Sequence, residues 1–391
     1  MINFTRTFHP VGQGAFYSEE FELPDHGRFR IVYDCGSKTL SKSNLKKLIK
    51  SDFAGDMTVD ILFISHFDED HINGVEFLKP KTVVVPFLSE AQILLLTLCN
   101  IFQEGRTYYN VDLAKNPTKT FPDSQIIQIL PYGSDSDFGS DSDFDPIFDL
   151  KAINDSNRDD SSKNRVLKEL RKVKSLAPIN ILYDKLFWEY IPYNPNWDKY
   201  AELFKSKITQ HGLDWDQLVA PDNGAYIKKN FFTLKKFYDE LKQKNLHSLV
   251  VCSNSVQDVQ LSSRRVNCKN CLNLPGRLDL PCGCIYFGDA KVEAKWRNAF
   301  YKYLQGLGIL QRIGTLQVPH HGSSSSNGEN IISKRYILAN PVLCIISVGE
   351  FNHYGHPSAR VIRELLRKGG SVSTVTEAVS SMFIQTASLP D

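Results

Sequence analysis

Short apolar runs that end in polar, glycine-containing turns recur along the chain and predict strands. Phe4–Val11 is apolar and ends at Gly12-Gln13-Gly14, and Phe29–Tyr33 stops at Asp34-Cys35-Gly36. Asp60–Ile64 is a continuous apolar run, the pattern of a strand buried on both faces. Val83–Val85 makes a fourth, and Ser41–Lys50 between the second and third spaces its apolar residues helically. Strands alternating with helices predict layered α/β architecture. The same style returns late in the chain. Phe231–Lys244 and Arg360–Lys368 read as helices; Ser248–Cys252, Ile285–Phe287, Leu316–Val318 and Leu343–Val348 read as strands, and Ser371–Ile384 as closing strand material.

The middle differs. Ser134-Asp135-Ser136-Asp137-Phe138 recurs as Ser140-Asp141-Ser142-Asp143-Phe144, an acidic repeat that reads as a solvated loop because nothing gathers its carboxylates around one point. Asn164–Ser175 has helical spacing, and Leu186–Tyr200 is rich in aromatics. The expected organisation is therefore a first half-domain over 1–130, a helical insertion over 131–244, and a second half-domain over 245–391. The insertion is a candidate contact surface for protein partners.

Composition narrows the class without naming it. At 391 residues the chain can hold one large domain with an insertion, and 42% hydrophobic against 23% charged residues suits a globular core. A net charge of +2 advertises neither nucleic acid nor an acidic membrane, although it leaves room for a local basic groove. The first residues lack the apolar run of a signal peptide, and Ala91–Cys99 is too short to span a bilayer. The expectation is a cytoplasmic protein with no membrane contact, whose eight cysteines are reduced.

Chemistry concentrates at strand ends. Ile64-Ser65 leads into His66-Phe67-Asp68-Glu69-Asp70-His71, four potential metal ligands in one polar loop. A solvated acidic loop would look similar, but three further ligand-bearing turns follow strands downstream. These are Gly288-Asp289, commonplace alone; Val318-Pro319-His320-His321-Gly322-Ser323; and Gly355-His356-Pro357, where an isolated histidine is more often structural. Separately, Cys268-x-x-Cys271 and Cys282-x-Cys284 are ten residues apart around Pro275-Gly276, a spacing at which four thiolates close on a structural Zn²⁺. Cys35, Cys99, Cys252 and Cys344 lie in apolar surroundings and read as core.

The His-x-Asp-x-Asp-His loop, Gly-Asp, Pro-His-His-Gly-Ser and Gly-His-Pro, in that order, resemble the metallo-hydrolase domain of competence DNA-channel proteins of the ComEC type and their soluble relatives. Val11-Gly12-Gln13-Gly14, Asp34-Cys35-Gly36 and Asn245-Leu246-His247-Ser248-Leu249-Val250 match as well, so the likeness covers roughly residues 1–130 and 245–391. Departures are Ala15, where an aspartate is usual, and Asn73-Gly74 in place of paired glycines. Asp68 stands where many members of the wider metallo-β-lactamase superfamily carry histidine.

The resemblance implies the four-layered αββα sandwich of that superfamily. It implies that His66 and Asp68 bind one divalent metal, that Asp70, His71 and one of His320 and His321 bind a second, and that Asp289 bridges them. Asp34 would support the ligand loop, and His356 would sit at the rim as ligand or proton donor. The metals would be Zn²⁺ or Mn²⁺. The implied activity is phosphodiester hydrolysis, with nucleic acid ranked first as substrate, by a hydroxide bridging the two metals, with Asp70 essential and His321 or His356 protonating the leaving group. Small-molecule phosphoesters or other esters are the alternative substrates, and a non-catalytic binding module is the alternative class.

Overall fold

The computed structural model describes residues 1–25, 27–102, 109–133, 146–151, 170–220, 222–241, 248–265, 280–336, 338 and 342–389. Within them the strands are β1 (Ile2–Phe8), β2 (Phe16–Glu22), β3 (Arg28–Cys35), β4 (Thr58–Phe63), β5 (Lys79–Pro86), β6 (Gln125–Ile129), β7 (Ile147–Asp149), β8 (Leu170–Val173), β9 (Ile179–Tyr183), β10 (Lys185–Tyr193), β11 (Val250–Ser255), β12 (Gln260–Arg265), β13 (Leu280–Pro281), β14 (Gly283–Tyr286), β15 (Ile313–Gln317), β16 (Val342–Ser347), β17 (Gly370–Val375) and β18 (Phe383–Leu389). They form two sheets, ordered β13-β12-β18-β1-β2-β3-β4-β5-β6-β8 and β17-β16-β15-β14-β11-β10-β9-β7.

The alternation along each strand explains why these sheets stack and why both are covered outside. In β3 and β4, Phe29, Ile31, Tyr33, Ile61 and Phe63 enter the core between the sheets. Val32, Cys35, Val59 and Leu62 point the other way, onto Leu45 and Ile49 of the helix Lys42–Asp52. In β16, Leu343 and Ile345 face the inter-sheet core, while Cys344 and Ile346 pack with Trp296, Phe300, Val361 and Leu365 of the helices Ala294–Gly306 and Ala359–Arg367. Runs apolar on both faces thus produce four layers, α/β/β/α.

The interval 131–244 is not uniformly helical. β9 and β10 extend the second sheet beside β11, and β8 pairs in parallel with β6 in the first, Ile126 opposite Leu170. The helical spacing read over Asn164–Ser175 fails where it can be compared: Leu170–Val173 is a strand, because an open sheet edge offers backbone partners that outweigh a weak local pattern. The aromatic-rich stretch supplies β10, whose Trp188 and Tyr190 fill the inter-sheet core. The helices of this interval lie at 198–210, 215–219, 224–229 and 231–241, and with the helix Glu90–Phe102 they enclose a separate core of Leu94, Leu98, Phe204, Trp215, Leu234 and Phe237. The Ser-Asp repeat lies outside the described residues. No helix among the described residues is long and apolar enough to cross a membrane.

Candidate metal centre

β3 and β4 run parallel in one sheet, and β14, β15 and β16 run parallel in the other. Open sheets of this kind present ligand sites beyond their carboxyl ends. Asp34 closes β3, the His66–His71 loop follows β4, Asp289 follows β14, and His320 and His321 follow β15.

The structure brings these residues together. Two buried groups have ligand atoms within 4.8 Å of one another: His66, His71 and Asp289, and Asp70, His71 and His321. His71 Nε2 is 3.1 Å from Asp289 Oδ1, and His321 Nε2 is 3.3 Å from Asp70 Oδ2. His66 Nε2 stands 3.8 Å from Asp289 Oδ2 and 3.9 Å from Asp68 Oδ2. His320 Nε2 is 3.7 Å from the same Asp289 oxygen, so both adjacent histidines turn toward the cluster, His321 on the Asp70 side and His320 on the Asp289 side. They manage this through left-handed backbones, φ 51° and 54°, a conformation that costs bulky residues energy and is held here by the surrounding structure.

A ring of partners fixes which nitrogen each imidazole presents. His71 Nδ1 donates to Asp34 Oδ2 at 2.7 Å, and His321 Nδ1 donates to the Ser347 carbonyl at 2.9 Å. Ser65 Oγ donates to Asp34 at 2.6 Å and lies 2.9 Å from His66 Nδ1, while Ser65 N reaches Asp34 Oδ1 at 2.7 Å. His320 Nδ1 pairs with Ser326 Oγ at 2.7 Å. In all four histidines Nε2 is therefore the atom turned to the common centre, the tethering that metal-binding histidines need.

The electrostatics match. Burial alone would raise the Asp70 carboxyl, but the His321 hydrogen bond and Lys38 hold it well below the usual carboxylate range. Asp289 is likewise held well below it, against burial, by His320 and His71. Burial and neighbouring His71 lower His66. Burial would also lower His71, but Asp289 and Asp34 raise it well above its ordinary value. His66 Nε2 is buried and makes no hydrogen bond, an arrangement whose cost a cation at the centre would remove. Imidazoles and carboxylates around one centre are the donor set of Zn²⁺ or Mn²⁺, so the residues present fit a divalent metal.

The glycines of the first turns matter through close approach. A Cβ at Gly36 would sit 2.5 Å from the Asp70 carbonyl carbon, and one at Gly14 would sit 2.4 Å from Gly36 O. Ala15 N donates to Asp70 O at 3.0 Å, so the turn after β1 carries the ligand loop on its backbone. Gly288 adopts φ +54°, which lets the chain turn from β14 into Asp289 against the Ser65 side chain.

Some expectations meet the structure only at a distance. His356 is half-buried at the margin, its ring 5.7 Å from that of His320, and burial with His320 and His321 pushes it down to about 4. Cys268, Cys271 and His247 lie outside the described residues. Cys282, in the bend between β13 and β14, and Cys284, in β14, are both buried in the inter-sheet core, and burial pushes the Cys284 thiol up to about 12. Sequence reading missed Lys38, whose Nζ lies 3.0 Å from Asp70 Oδ1, and Ser248, whose Oγ accepts a hydrogen bond from Asp289 N at 3.0 Å. Lys38 follows Asp34-Cys35-Gly36 by two residues, the signal that was available.

Residues 23–98 match the family model of the metallo-beta-lactamase superfamily. That interval carries Asp34 and the whole His66–His71 loop, and the two-sheet, four-layer architecture is consistent with the fold of that superfamily. Among solved structures, the crystal structure of a long form RNase Z from yeast is similar at TM-score 0.30 and 8% identity, over 89% of this chain and 37% of that one. This chain therefore spans well under half of that protein's length. No curated protein matches the chain.

Proposed function

We propose that the protein is a metal-dependent phosphodiesterase that acts on nucleic acid. The observation that carries this reading is the buried convergence of His66, Asp70, His71, Asp289 and His321, each delivered by a strand end and four of them within 3.3 Å of a partner in the cluster. His66 and Asp68 would hold one divalent cation, Asp70, His71 and His321 a second, and Asp289 would face both, with His320 beside it. Bound there, the cations would polarise a phosphoryl oxygen and make water acidic enough to attack at neutral pH. The order of motifs supports a relative of the ComEC-type hydrolase domains.

The remaining steps fall to the chain. Asp34 and Ser347 hold His71 and His321 in the tautomers that leave Nε2 free to bind. Both ring nitrogens of His321 are engaged, so it is poorly placed to carry a proton. Burial and the neighbouring His320 and His321 favour the neutral form of His356. It would accept the proton that the attacking water loses and return it to the leaving oxygen. A further, structural zinc on Cys268, Cys271, Cys282 and Cys284 rests on the sequence spacing alone, and the burial of Cys282 and Cys284 between the sheets weighs against it.

The test is metal analysis of the purified protein together with hydrolysis of DNA, RNA and an aryl phosphodiester under Mn²⁺ and Zn²⁺, before and after chelation. Bound metal and chelator-sensitive cleavage of nucleic acid are expected. Cleavage of the aryl ester alone would remove nucleic acid from the reading, and metal-free protein with no hydrolysis would remove the enzyme.

A further inference from the structure

The segment 349–357, which follows β16, carries two aromatic rings that the fold leaves uncovered: Phe351 is 89% exposed and Tyr354 61%. The segment is nonetheless tied down. Asn352 Nδ2 donates to the carbonyls of Gly349 and His356, at 2.9 and 2.7 Å, and its Oδ1 accepts from His356 N at 3.0 Å. Tyr354 stacks on the His356 ring, centroids 5.9 Å apart and planes inclined by 14°. Lys38 Nζ lies 6.0 Å from the Tyr354 centroid while touching Asp70 at 3.0 Å. An exposed ring therefore adjoins two groups, Lys38 and His356, of which Lys38 touches Asp70 and His356 lies 5.7 Å from the His320 ring.

We infer that this rim, Tyr354 with Phe351 and Lys38, receives an unpaired nucleobase and its phosphate beside the bond that is cleaved, so that the substrate is single-stranded nucleic acid. The inference rests on the phosphodiesterase reading above and adds the substrate class. Every base has a π-face that stacks on a fixed tyrosine whatever the sequence, and a single lysine nearby supplies charge for the adjoining phosphate. In a duplex those faces are already covered by neighbouring base pairs. A small phosphoester with no ring would leave Tyr354 and Phe351 in water. The near-neutral net charge also fits this mode better than a broad electrostatic clamp on a duplex, which needs many basic contacts.

Binding separates this inference from the chemistry. A fluorescein-labelled oligonucleotide is titrated in EDTA and read by anisotropy, as a single strand, as a duplex, and as the same strand with abasic sites. The parent should prefer the base-bearing single strand. Tyr354→Ala should raise its Kd about 5- to 100-fold, the range of one lost base–aromatic stack. Phe351→Ala should act in the same direction, and Tyr354→Phe, which keeps the ring, should bind like the parent. Both positions are exposed, so the variants should melt with the parent. Unchanged affinity in both alanine variants, equal binding of the abasic strand, or preference for duplex overturns the inference, while Mn²⁺-dependent cleavage of nucleic acid by the same preparation would leave the phosphodiesterase reading standing. Loss of that cleavage with stacking intact would instead overturn the reading and keep the rim as a binding site.

Discussion

Two buried polar clusters join the sheets of this sandwich, and they differ in how completely they are satisfied. Deep in the core, Glu19 accepts hydrogen bonds from Arg6 Nε at 2.7 Å, Tyr190 OH at 2.6 Å, Tyr286 OH at 2.9 Å and Ser253 Oγ at 2.7 and 2.9 Å. Arg6 also reaches Gln385, which in turn donates to Thr315. The carboxylate thus has hydrogen bonds on both oxygens, while Arg6 Nη2 beside it stays buried without one. At the strand ends, by contrast, His66 Nε2 is buried without a hydrogen bond, and carboxylates and imidazoles stand 3.7–3.9 Å apart around it. Burial costs both clusters desolvation. The inner carboxylate recovers it within the protein, whereas the outer cluster leaves His66 Nε2, at its centre, without a hydrogen bond. Saturation of the carboxylate, more than burial or charge, marks the first as a strut and the second as a candidate site.

The sharpest way to break that division is to exchange the two kinds of loss. Asp70→Asn should lower hydrolysis on the order of 10⁴-fold, the scale of losing one member of a catalytic unit. It should leave the thermal melt near parental and reduce bound metal; near-parental turnover with metal lost would mean that this carboxylate serves no catalytic cation. Glu19→Ala should do the opposite. It strands Arg6 in the core and should cost about 3–5 kcal/mol by denaturant unfolding, while the folded fraction keeps its metal and its turnover. Asp34→Asn falls between them, because Asp34 touches His71 and Ser65 rather than the centre itself. Metal affinity measured by competition with a chelator should weaken about 10- to 100-fold. A drop in stability with unchanged affinity would place Asp34 among the struts.

Much of the site was legible because it is built from loops at strand ends, where residue type is set by chemistry. Histidines and aspartates in His66–His71, Asp289 and His320–His321 stand out against apolar runs, and the structure gathers all of them. The one question that spacing left open, between His320 and His321, depended on two left-handed backbone angles that no local pattern encodes. The inner cluster was illegible for a related reason. Glu19 sits in β2, whose sequence FYSEEFE gives a polar residue on each face, and its partners come from β1, β10, β11 and β14, far apart in the chain. β8 and β9 were missed because edge pairing, a tertiary event, decided their conformation.

The smallest expected effect tests whether the two clusters are coupled at all. Tyr17 lies between them. Its ring stacks on Tyr286, centroids 5.7 Å apart, and Tyr286 belongs to the Glu19 network. Its hydroxyl donates to Ser347 Oγ at 3.0 Å, and the carbonyl of that same Ser347 orients His321. Tyr17→Phe keeps the ring and removes one buried hydrogen bond, so stability should fall by about 0.5–1.5 kcal/mol. Ser347 stays anchored by the β16–β17 ladder, opposite Val375, so its carbonyl should not move and His321 should keep its tautomer. Metal affinity should therefore change far less than in Asp34→Asn. If a chelator competes with Tyr17→Phe as effectively as with Asp34→Asn, the hydroxyl transmits core packing to His321. Strut and site would then be one cooperative unit, and measuring Tyr17→Phe in the Glu19→Ala background would show how much of the metal affinity depends on the inner carboxylate.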